Sequence, residues 1–485
     1  MKKIPTVLMI ATLPLLPAGA NTYTLTADGN VGSAFSATPS NIAPSGTGTP
    51  ADPYKYDLGV DSLAMDAYRI LGAANSCLLA LSSLSYDSES ANGGAFDFSG
   101  SGTRGNLQIN ASGAVAARSI STRSTSSGVG GKIEISSTTG ITINGPLDSQ
   151  GAGTNNSAGL INMTCSDGAV SVTGEVLMQS AGTGVALTIN GTSVTLSGNI
   201  TDGTTRSNSA GAAVTLSATA GSILTADIIN SSVNFQAGNI TISSAGGHVT
   251  TGNISSHTTG TALTNRAAGG AISINSSGHV TTGALSTYTS RTMENENRDQ
   301  GGNVTITASG NVSVGGLIQT YVSSTSTNAT KSSAGHISVS STTGNISLSG
   351  AIDADAPAGE ASRGDLTLSA AQGGITLAAL DVNRVGDITL TAAAGIGTTV
   401  TGALENLVGF LNFGALTVGR FTSVTGDIWY DNEVEENAYL EGKTFEILAS
   451  NGGTFHLQPI PEPSSVALLI LSLAGLRLRR QRKRM

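Results

Sequence analysis

The chain has 485 residues and is acidic, with 23 Lys and Arg against 32 Asp and Glu and a net charge of −9. Only 11% of its residues are charged and 4% are aromatic, which is too few for an ordinary globular core, whereas 63 are Gly. This charge disfavours nucleic acid and anionic lipid as partners. Disordered chains of this kind carry more charge and Pro and lack apolar alternation, which is strict here.

Residues 1–20 predict a secretory signal peptide. Two lysines form a basic start, an apolar run spans 7–16, and Ala18 and Ala20 mark the small-residue cleavage site. A membrane-spanning helix requires a longer apolar run with fewer prolines. We therefore expect the protein to be exported.

Residues 21–100 show no clear repeat. Four prolines between residues 39 and 53 mark an irregular stretch, and a more apolar stretch covers 61–84. Because a stack of strands has open sheet edges at its ends, we predict that 21–100 forms an N-terminal cap region. A separate binding module is the alternative, although this region contains no recognisable binding motif.

A frame of Gly-x-aliphatic-x-aliphatic dominates residues 101–400. It begins at residue 105 and recurs ten more times, up to residue 386, at intervals of 22 to 33 residues. Such alternation predicts a strand with one buried face, and a second short strand follows in most units. One unit cannot bury its apolar face alone, whereas stacked units can. We therefore predict an all-β fold, a single-stranded right-handed parallel β-helix.

Two insertions lengthen units of this region, at 291–299 and 356–363, and both predict surface loops. Insertions in solenoids often collect on the binding face. A charged loop is ordinarily just solvated surface, however. A solvated bulge is the favoured interpretation of both, and a contact site is the alternative.

Residues 401–458 concentrate large apolar side chains, including five of the nine Phe and the single Trp429. This composition predicts a C-terminal cap, with an aromatic sugar-binding platform as the alternative. The acidic segment 426–437 offers several oxygens to Ca²⁺, but its spacing matches no EF-hand loop. A solvated turn is therefore the favoured interpretation, and Ca²⁺ remains the one cofactor considered.

The last segment, 459–485, has three parts in order: Pro461-Glu462-Pro463, an apolar run from 466 to 476, and six Arg or Lys. This tail resembles the PEP-CTERM sorting signal of exported bacterial proteins. The resemblance implies that the apolar run is a transmembrane helix that holds the chain transiently in the inner membrane. It also implies processing by an exosortase-type enzyme and display on the cell surface or release, commonly with extracellular polysaccharide. An uncut tail anchor is the alternative.

Removal of both ends would change the charge of the protein. The signal peptide and the part of the tail beyond Pro463 together hold eight Lys and Arg and no Asp or Glu, so the 23 basic residues fall to 15 while the 32 acidic residues remain. The mature body would then carry −17 rather than −9. Nucleic acid is accordingly excluded from the expected partners.

The repeats over residues 101–400 are also similar to those of filamentous-haemagglutinin-type adhesins and autotransporter passenger rods. The likeness rests on the Gly-x-aliphatic-x-aliphatic frame and on the turns rich in Asn and Gly, as in Gly238-Asn239-Ile240-Thr241-Ile242. What it implies is a rod-shaped molecule.

Residues suited to catalysis or metal binding are scattered. Asp365 and Asp387 share a frame position in adjacent units, and His248 and His279 share one in the twin GHVTTG segments. Exposed acids at strand starts usually serve solubility, and two histidines without a carboxylate or Cys at fixed spacing are a weak zinc signal. We therefore predict no catalytic residue, no cofactor-binding residue and no metal ligand.

The two cysteines, Cys77 and Cys165, could pair in an exported protein. Cys165, however, continues the inward parity of Ile161 and Met163. This position favours a buried thiol in the apolar column over a disulfide. The sequence leaves the pairing open.

Together these features predict a non-enzymatic protein of the cell surface or extracellular matrix. Its β-helical rod would act in adhesion or in association with extracellular polysaccharide or another cell-surface ligand. One alternative is an extracellular polysaccharide lyase or glycoside hydrolase on the same scaffold. Another is a Ca²⁺-dependent adhesin.

Overall fold

The computed structural model describes residues 20–401, apart from gaps at 88–92, 183, 208–209, 234, 261–266, 292–298, 325–331, 357–361, 379, 382–383, 387, 393–394 and 398–399. These residues form strands and turns, with no α-helix among them. Three long, mainly parallel sheets wind along the chain as a β-solenoid, which confirms the predicted fold class. Residues 1–19 of the predicted signal peptide, residues 402–458 of the predicted C-terminal cap and the whole sorting tail, 459–485, lie outside the described residues.

The first sheet contains the repeated frames. All eleven frames form strands of this sheet, stacked in chain order, so the frame is the structural unit that the sequence predicted. Its 13 strands are Tyr54–Asp57, Cys77–Leu81, Leu107–Ala111, Ile133–Ser137, Ile161–Cys165, Leu187–Gly191, Val214–Ala218, Ile240–Ser244, Ile272–Ser276, Val304–Ala308, Ile337–Ser341, Leu366–Ala370 and Ile388–Ala392.

The second sheet contains the short strand that follows each frame. Its 15 strands, in spatial order, are Ala37–Thr38, Thr22–Leu25, Ser62–Ala64, Leu84–Ser85, Ala114–Ala117, Gly140–Ile143, Ala169–Val172, Val194–Leu196, Ile223–Thr225, Val249–Thr251, Val280–Thr282, Val312–Val314, Ile346–Leu348, Gly374–Leu377 and Gly395–Gly397. One pairing in it is antiparallel, between its first two strands.

The third sheet completes each turn of the solenoid. Its strands are Gly29–Asn30, Ile70–Leu71, Ala95–Asp97, Ser119–Ser121, Leu147–Asp148, Val176–Leu177, Ile200–Ser207, Ile228–Val233, Ile254–Gly260, Leu285–Ser286, Thr289–Arg291, Ile318–Gln319, Val322–Ser324 and Ile352–Asp353. A separate pair joins Leu380–Asp381 to Val400–Thr401.

The core is a continuous column of aliphatic side chains from successive turns. Ile240 pairs with Ile272, and Ile272 pairs with Val304, each in direct register. All three side chains are at most 1% exposed. Burial of each such side chain contributes about 1.5–3 kcal/mol, so the repeat that defines the sequence also provides the stability of the fold.

The glycine that opens most frames is required by close approach of neighbouring turns. A Cβ built on Gly238 would lie 1.7 Å from the carbonyl oxygen of Ala212, and one on Gly270 would lie 2.2 Å from that of Gly238. Neither glycine has a positive φ. A left-handed turn conformation therefore does not explain why Gly occurs at these two positions. Gly is required there because neighbouring turns approach so closely that no side chain fits.

The parallel stack begins nearer the N-terminus than the sequence predicted. Cys77–Leu81 pairs in register with Leu107–Ala111, Tyr54–Asp57 pairs with Cys77–Leu81, and Thr22–Leu25 pairs with Ser62–Ala64. The boundary at residue 101 is therefore wrong. The early turns escaped notice because the strand at 77–81 is apolar on both faces and lacks the opening Gly.

The segment from 31 to 53 covers the first turn. The ring of Phe35 stacks on the ring of Tyr56, with centroids 3.8 Å apart and both side chains fully buried. This contact closes the N-terminal end of the aliphatic column, which an exposed sheet end would otherwise leave open.

Both cysteines are buried free thiols. Cys77 takes the inward position that Leu107 takes in the next turn. Cys165 also points inward, and its backbone lies in register with Ser137 of the preceding turn. The question that the sequence left open is thus settled in favour of thiols in the core.

Candidate functional site

A column of three aromatic rings lies on the outer face of the third sheet. His257, Tyr288 and Tyr321 each follow an aligned buried aliphatic residue by three positions, so they recur at the same place in three successive turns. The His257 and Tyr288 centroids are 4.9 Å apart and the Tyr288 and Tyr321 centroids are 4.8 Å apart. We call these three residues the aromatic column.

The column is held from beneath by buried hydroxyl groups. Thr287 and Thr320 point inward between the outward rings and donate hydrogen bonds to the carbonyl oxygens of Gly302 and Gly335. Ser256 makes the equivalent bond to Gly238 at 2.6 Å. The two threonine bonds tie the third sheet to the opening glycine of the next frame, and the Ser256 bond ties it to that of the preceding frame, so these bonds fix the backbone that presents the rings.

The rings are only half-buried and are uncharged at neutral pH. Burial lowers the pKa of His257 and raises the pKa values of Tyr288 and Tyr321. Because the rings stack on one another, the column presents ring edges, and at its end a ring face, as apolar area on a rigid sheet at low entropic cost. The column is therefore a surface suited to contact with a ligand.

A groove of about 430 Å³ opens where the aromatic column ends. Tyr321 is followed in the next turn by Asp355, which occupies the place where another ring would stack, as the hydrogen bond from the Val322 amide to the Asp355 carbonyl shows. Gln319, Asp353 and Arg384 also line the groove. We call this the Tyr321 groove.

The charged groups of the Tyr321 groove are paired with one another. Arg384 Nη1 lies 3.0 Å from Asp353 Oδ2, and Arg363 Nε lies 3.1 Å from Asp355 Oδ1. Burial raises the pKa of Asp353, although its hydrogen bond from the Asp355 amide and the charge of Arg384 oppose the shift. The groove thus holds two carboxylates, each paired with a guanidinium group: Arg384 within the groove and Arg363 beside it.

His248 and His279, which share a frame position in the sequence, stack across two successive turns of the solenoid, with ring centroids 4.8 Å apart. Nδ1 of His248 accepts a hydrogen bond from the amide of His279, and Nδ1 of His279 accepts one from the amide of Asn311. Asn311 continues the same pattern to Asn345. The histidines therefore act as links in a ladder that joins the side chain of each turn to the backbone of the next.

The acids that the sequence singled out do not converge. Asp365 is partly exposed and its amide donates a hydrogen bond of 3.0 Å to His336 Nδ1, while Asp387 lies outside the described residues. Asp202 is fully buried in the core, and Asp148 lies 3.9 Å from Arg123. Within the described part of the chain, no group of three or more His, Cys, Asp or Glu is arranged to hold a metal ion.

Sequence reasoning missed the aromatic column and the groove beside it. The available signal was the spacing of 31 and 33 residues that separates His257, Tyr288 and Tyr321, each three residues after an aliphatic residue. The two insertions that were considered as contact loops lie mostly outside the described residues. Their ends are described: Arg291 and Asp299 form a buried ion pair of 2.8 Å, and Arg363 lies beside the groove.

Other predicted features lie outside the described residues, including Trp429, the acidic segment 426–437, the signal cleavage residue Ala18 and the sorting motif Pro461-Glu462-Pro463. Within the described ranges, no helix has the length and apolarity needed to cross a membrane. The apolar run at 466–476 lies beyond those ranges.

Compared with known proteins, the chain matches no family model, no curated protein and no solved structure at a significant level. The functional conclusion therefore depends on the fold, on the aromatic column with its groove, and on the sequence features at the two termini.

Proposed function

We propose that the protein is an exported, exosortase-processed component of the cell surface or extracellular matrix, in which a β-helical rod associates with extracellular polysaccharide. The observation that carries the binding role is the aromatic column with the adjoining Tyr321 groove on the outer face of the rod. The signal peptide and the PEP-CTERM-like tail support export and processing.

The architecture suits a long polymeric ligand. Rings from successive turns are fixed by the register of the third sheet and by the hydroxyl groups beneath it, so little freedom is lost on binding. Planar rings beside carboxylate, amide and guanidinium groups provide both an apolar surface and hydrogen-bonding groups for sugars. A rigid rod also holds this face away from the site where the chain is attached.

Affinity electrophoresis of the mature protein tests polysaccharide binding. We expect slower migration in native gels that contain extracellular polysaccharide than in gels without it. Unchanged migration in gels with neutral and with uronate polysaccharides would contradict the binding role.

Intact mass of the protein tests processing. Protein from cells with the sorting enzyme should lack the apolar run and the basic residues that follow Pro461-Glu462-Pro463, while protein from cells without the enzyme retains them. An identical mass from both sources would contradict exosortase processing and leave the binding role to be judged by electrophoresis.

A glycoside hydrolase is the second candidate, because Asp353 and Asp355 place two carboxylates in one groove. Hydrolysis uses two carboxyl groups that flank the bond to be cleaved. Here the two groups come from alternate residues of one segment, and each is held by an arginine. New reducing ends that form with the wild-type protein and not with Asp353→Asn would favour the enzyme over the binding protein.

A further inference from the structure

From the geometry of the aromatic column we infer that the Tyr321 groove binds one pyranose ring of a neutral polysaccharide, stacked on the free face of Tyr321. This inference deepens the proposed function and rests on it. It specifies the class of sugar, the subsite and the residue that serves as platform.

The free ring face is a consequence of how the column ends. Tyr288 stacks between His257 and Tyr321, so both of its faces are covered, and one face of Tyr321 is covered by Tyr288. Among the residues that the structure describes, no further ring stacks on the other face of Tyr321. Asp355 replaces a ring there, and the short side chain leaves the groove open.

The size of the groove fits a sugar. The Tyr288 and Tyr321 rings are parallel at 4.8 Å, and a pyranose placed on Tyr321 would extend the same stack by one step. The volume of about 430 Å³ lies within the roughly 300–1,000 Å³ typical of small-ligand sites. The groove is open at the surface, so the neighbouring sugars of a polymer would continue along the rod.

The polar groups around the groove suit hydroxyl groups. Asp353 and Asp355 each have two carboxylate oxygens that together offer about four acceptor sites, of which the arginine and amide contacts use only part. Gln319 adds an amide that both donates and accepts. Neighbouring hydroxyl groups of a sugar ring can therefore donate to the carboxylates while they accept from the amide.

Charge argues for a neutral sugar rather than a uronate. Arg384 and Arg363 are already paired with Asp353 and Asp355, so neither is free to neutralise a carboxylate on the ligand. The chain as a whole carries −9. Because both aspartates and both arginines are already paired, a polyuronate would gain no ion pair from them to offset repulsion by the net negative charge of the whole protein.

The experiment measures binding of the mature protein to a panel of immobilised hexasaccharides, some of neutral hexoses and some of uronates. We expect binding to at least one neutral hexasaccharide and weaker binding to the uronates. Tyr321→Ala should weaken the neutral interaction by roughly tenfold or more, as truncation of a central aromatic contact typically does. Tyr321→Phe, which keeps the ring, should retain most of the affinity.

Thr241→Ala serves as a control, because Thr241 is exposed on the first sheet and away from the groove. The melting temperature of each variant checks that the solenoid remains folded. If wild-type and Tyr321→Ala bind a neutral sugar equally, or if uronates bind more tightly, the subsite assignment is overturned while polysaccharide association stands. If the wild-type protein binds no member of the panel and no polysaccharide in the gels, both proposals fail.

Discussion

Asp202 is a fully buried carboxyl group in the core of the solenoid. Its Oδ2 accepts a hydrogen bond of 2.7 Å from the amide of Ala212, whereas its Oδ1 has no hydrogen-bond partner among the described residues. Asn230 fills the same position in the next turn and donates to the carbonyl oxygens of Ala212 and Gly238. Burial raises the pKa of Asp202 to about 7, so below about pH 7 the folded protein holds this carboxyl group mainly in its protonated form.

This raised pKa predicts a stability that falls as the pH rises. Between about pH 4 and pH 7 the folded state binds a proton at Asp202 that the unfolded state has released, so the free energy of unfolding is highest below pH 4 and declines up to pH 7. Asp202→Asn should remove that dependence and raise the free energy of unfolding at pH 8 by up to ~4 kcal/mol. Urea denaturation across this range measures both effects.

Asp167→Asn is the matched control, because Asp167 is exposed at a turn and its substitution should leave the pH profile of the wild-type protein intact. An Asp202→Asn protein with the same profile as the wild type would show that Asp202 is ionised in the folded state.

Substitution of Gly238 tests whether the close approach of neighbouring turns is what requires glycine at the start of a frame. Gly238→Ala should lower the free energy of unfolding by about 1–3 kcal/mol or more, because the added methyl group meets the Ala212 carbonyl at 1.7 Å and the turns must separate. Gly140→Ala should be tolerated, since the nearest atom to its Cβ would be 3.8 Å away. Equal urea midpoints for the two variants would contradict this explanation of the repeated glycine.

At the scale of the strands, the frames were predictable because each one needs two inward aliphatic residues and an opening glycine. Strands that fill the core with other residue types, or without an opening glycine, were not predictable from this pattern. Cys77–Leu81 buries Cys77, Leu79 and Leu81, but its outward Leu78 and Ala80 hide the alternation. Tyr54–Asp57 relies on aromatic side chains and has no frame at all. The sequence therefore placed the start of the solenoid too late.

The aromatic column was not predicted, because its geometry depends on the register of the third sheet. Strands of that sheet are as short as two residues, and turn lengths on either side vary, so the position of Tyr321 over Asp355 follows only once Ile318 is paired with Ile352. Asp353 also becomes a neighbour of Arg384 through the next turn. Local sequence motifs do not contain the strand register that brings these residues together.

The buried thiols give a prediction at the same scale. Cys77 and Cys165 belong to different strands of the first sheet, and burial raises the pKa of Cys77, so neither should react with a thiol reagent in the folded protein. Both should react after unfolding in urea without any reductant. Unfolded protein with no reactive thiol until a reductant is added would instead indicate a disulfide.

For the whole molecule, both proposals require one property: successive turns must lie directly on one another along the rod. The aromatic column exists only if neighbouring turns keep their register, and the groove exists only because one turn replaces a ring by Asp355. In the proposed role, a long, rigid rod that carries the aromatic column and a net negative charge suits a matrix built from neutral polysaccharide, since that charge repels polyanions.

Cross-linking of paired cysteines measures that register directly. Thr241 pairs with Ser273 in the next turn, and Ser273 pairs with Thr305 in the turn after. Neighbouring strands are about 4.8 Å apart, within the range of about 4.4–6.8 Å that a disulfide spans between Cα atoms. The double variant Thr241→Cys with Ser273→Cys should therefore form an intramolecular disulfide on mild oxidation, whereas Thr241→Cys with Thr305→Cys, two turns apart, should not. Failure of the first pair to cross-link, or equal cross-linking of both pairs, would contradict the stacked register on which the rod and its binding face depend.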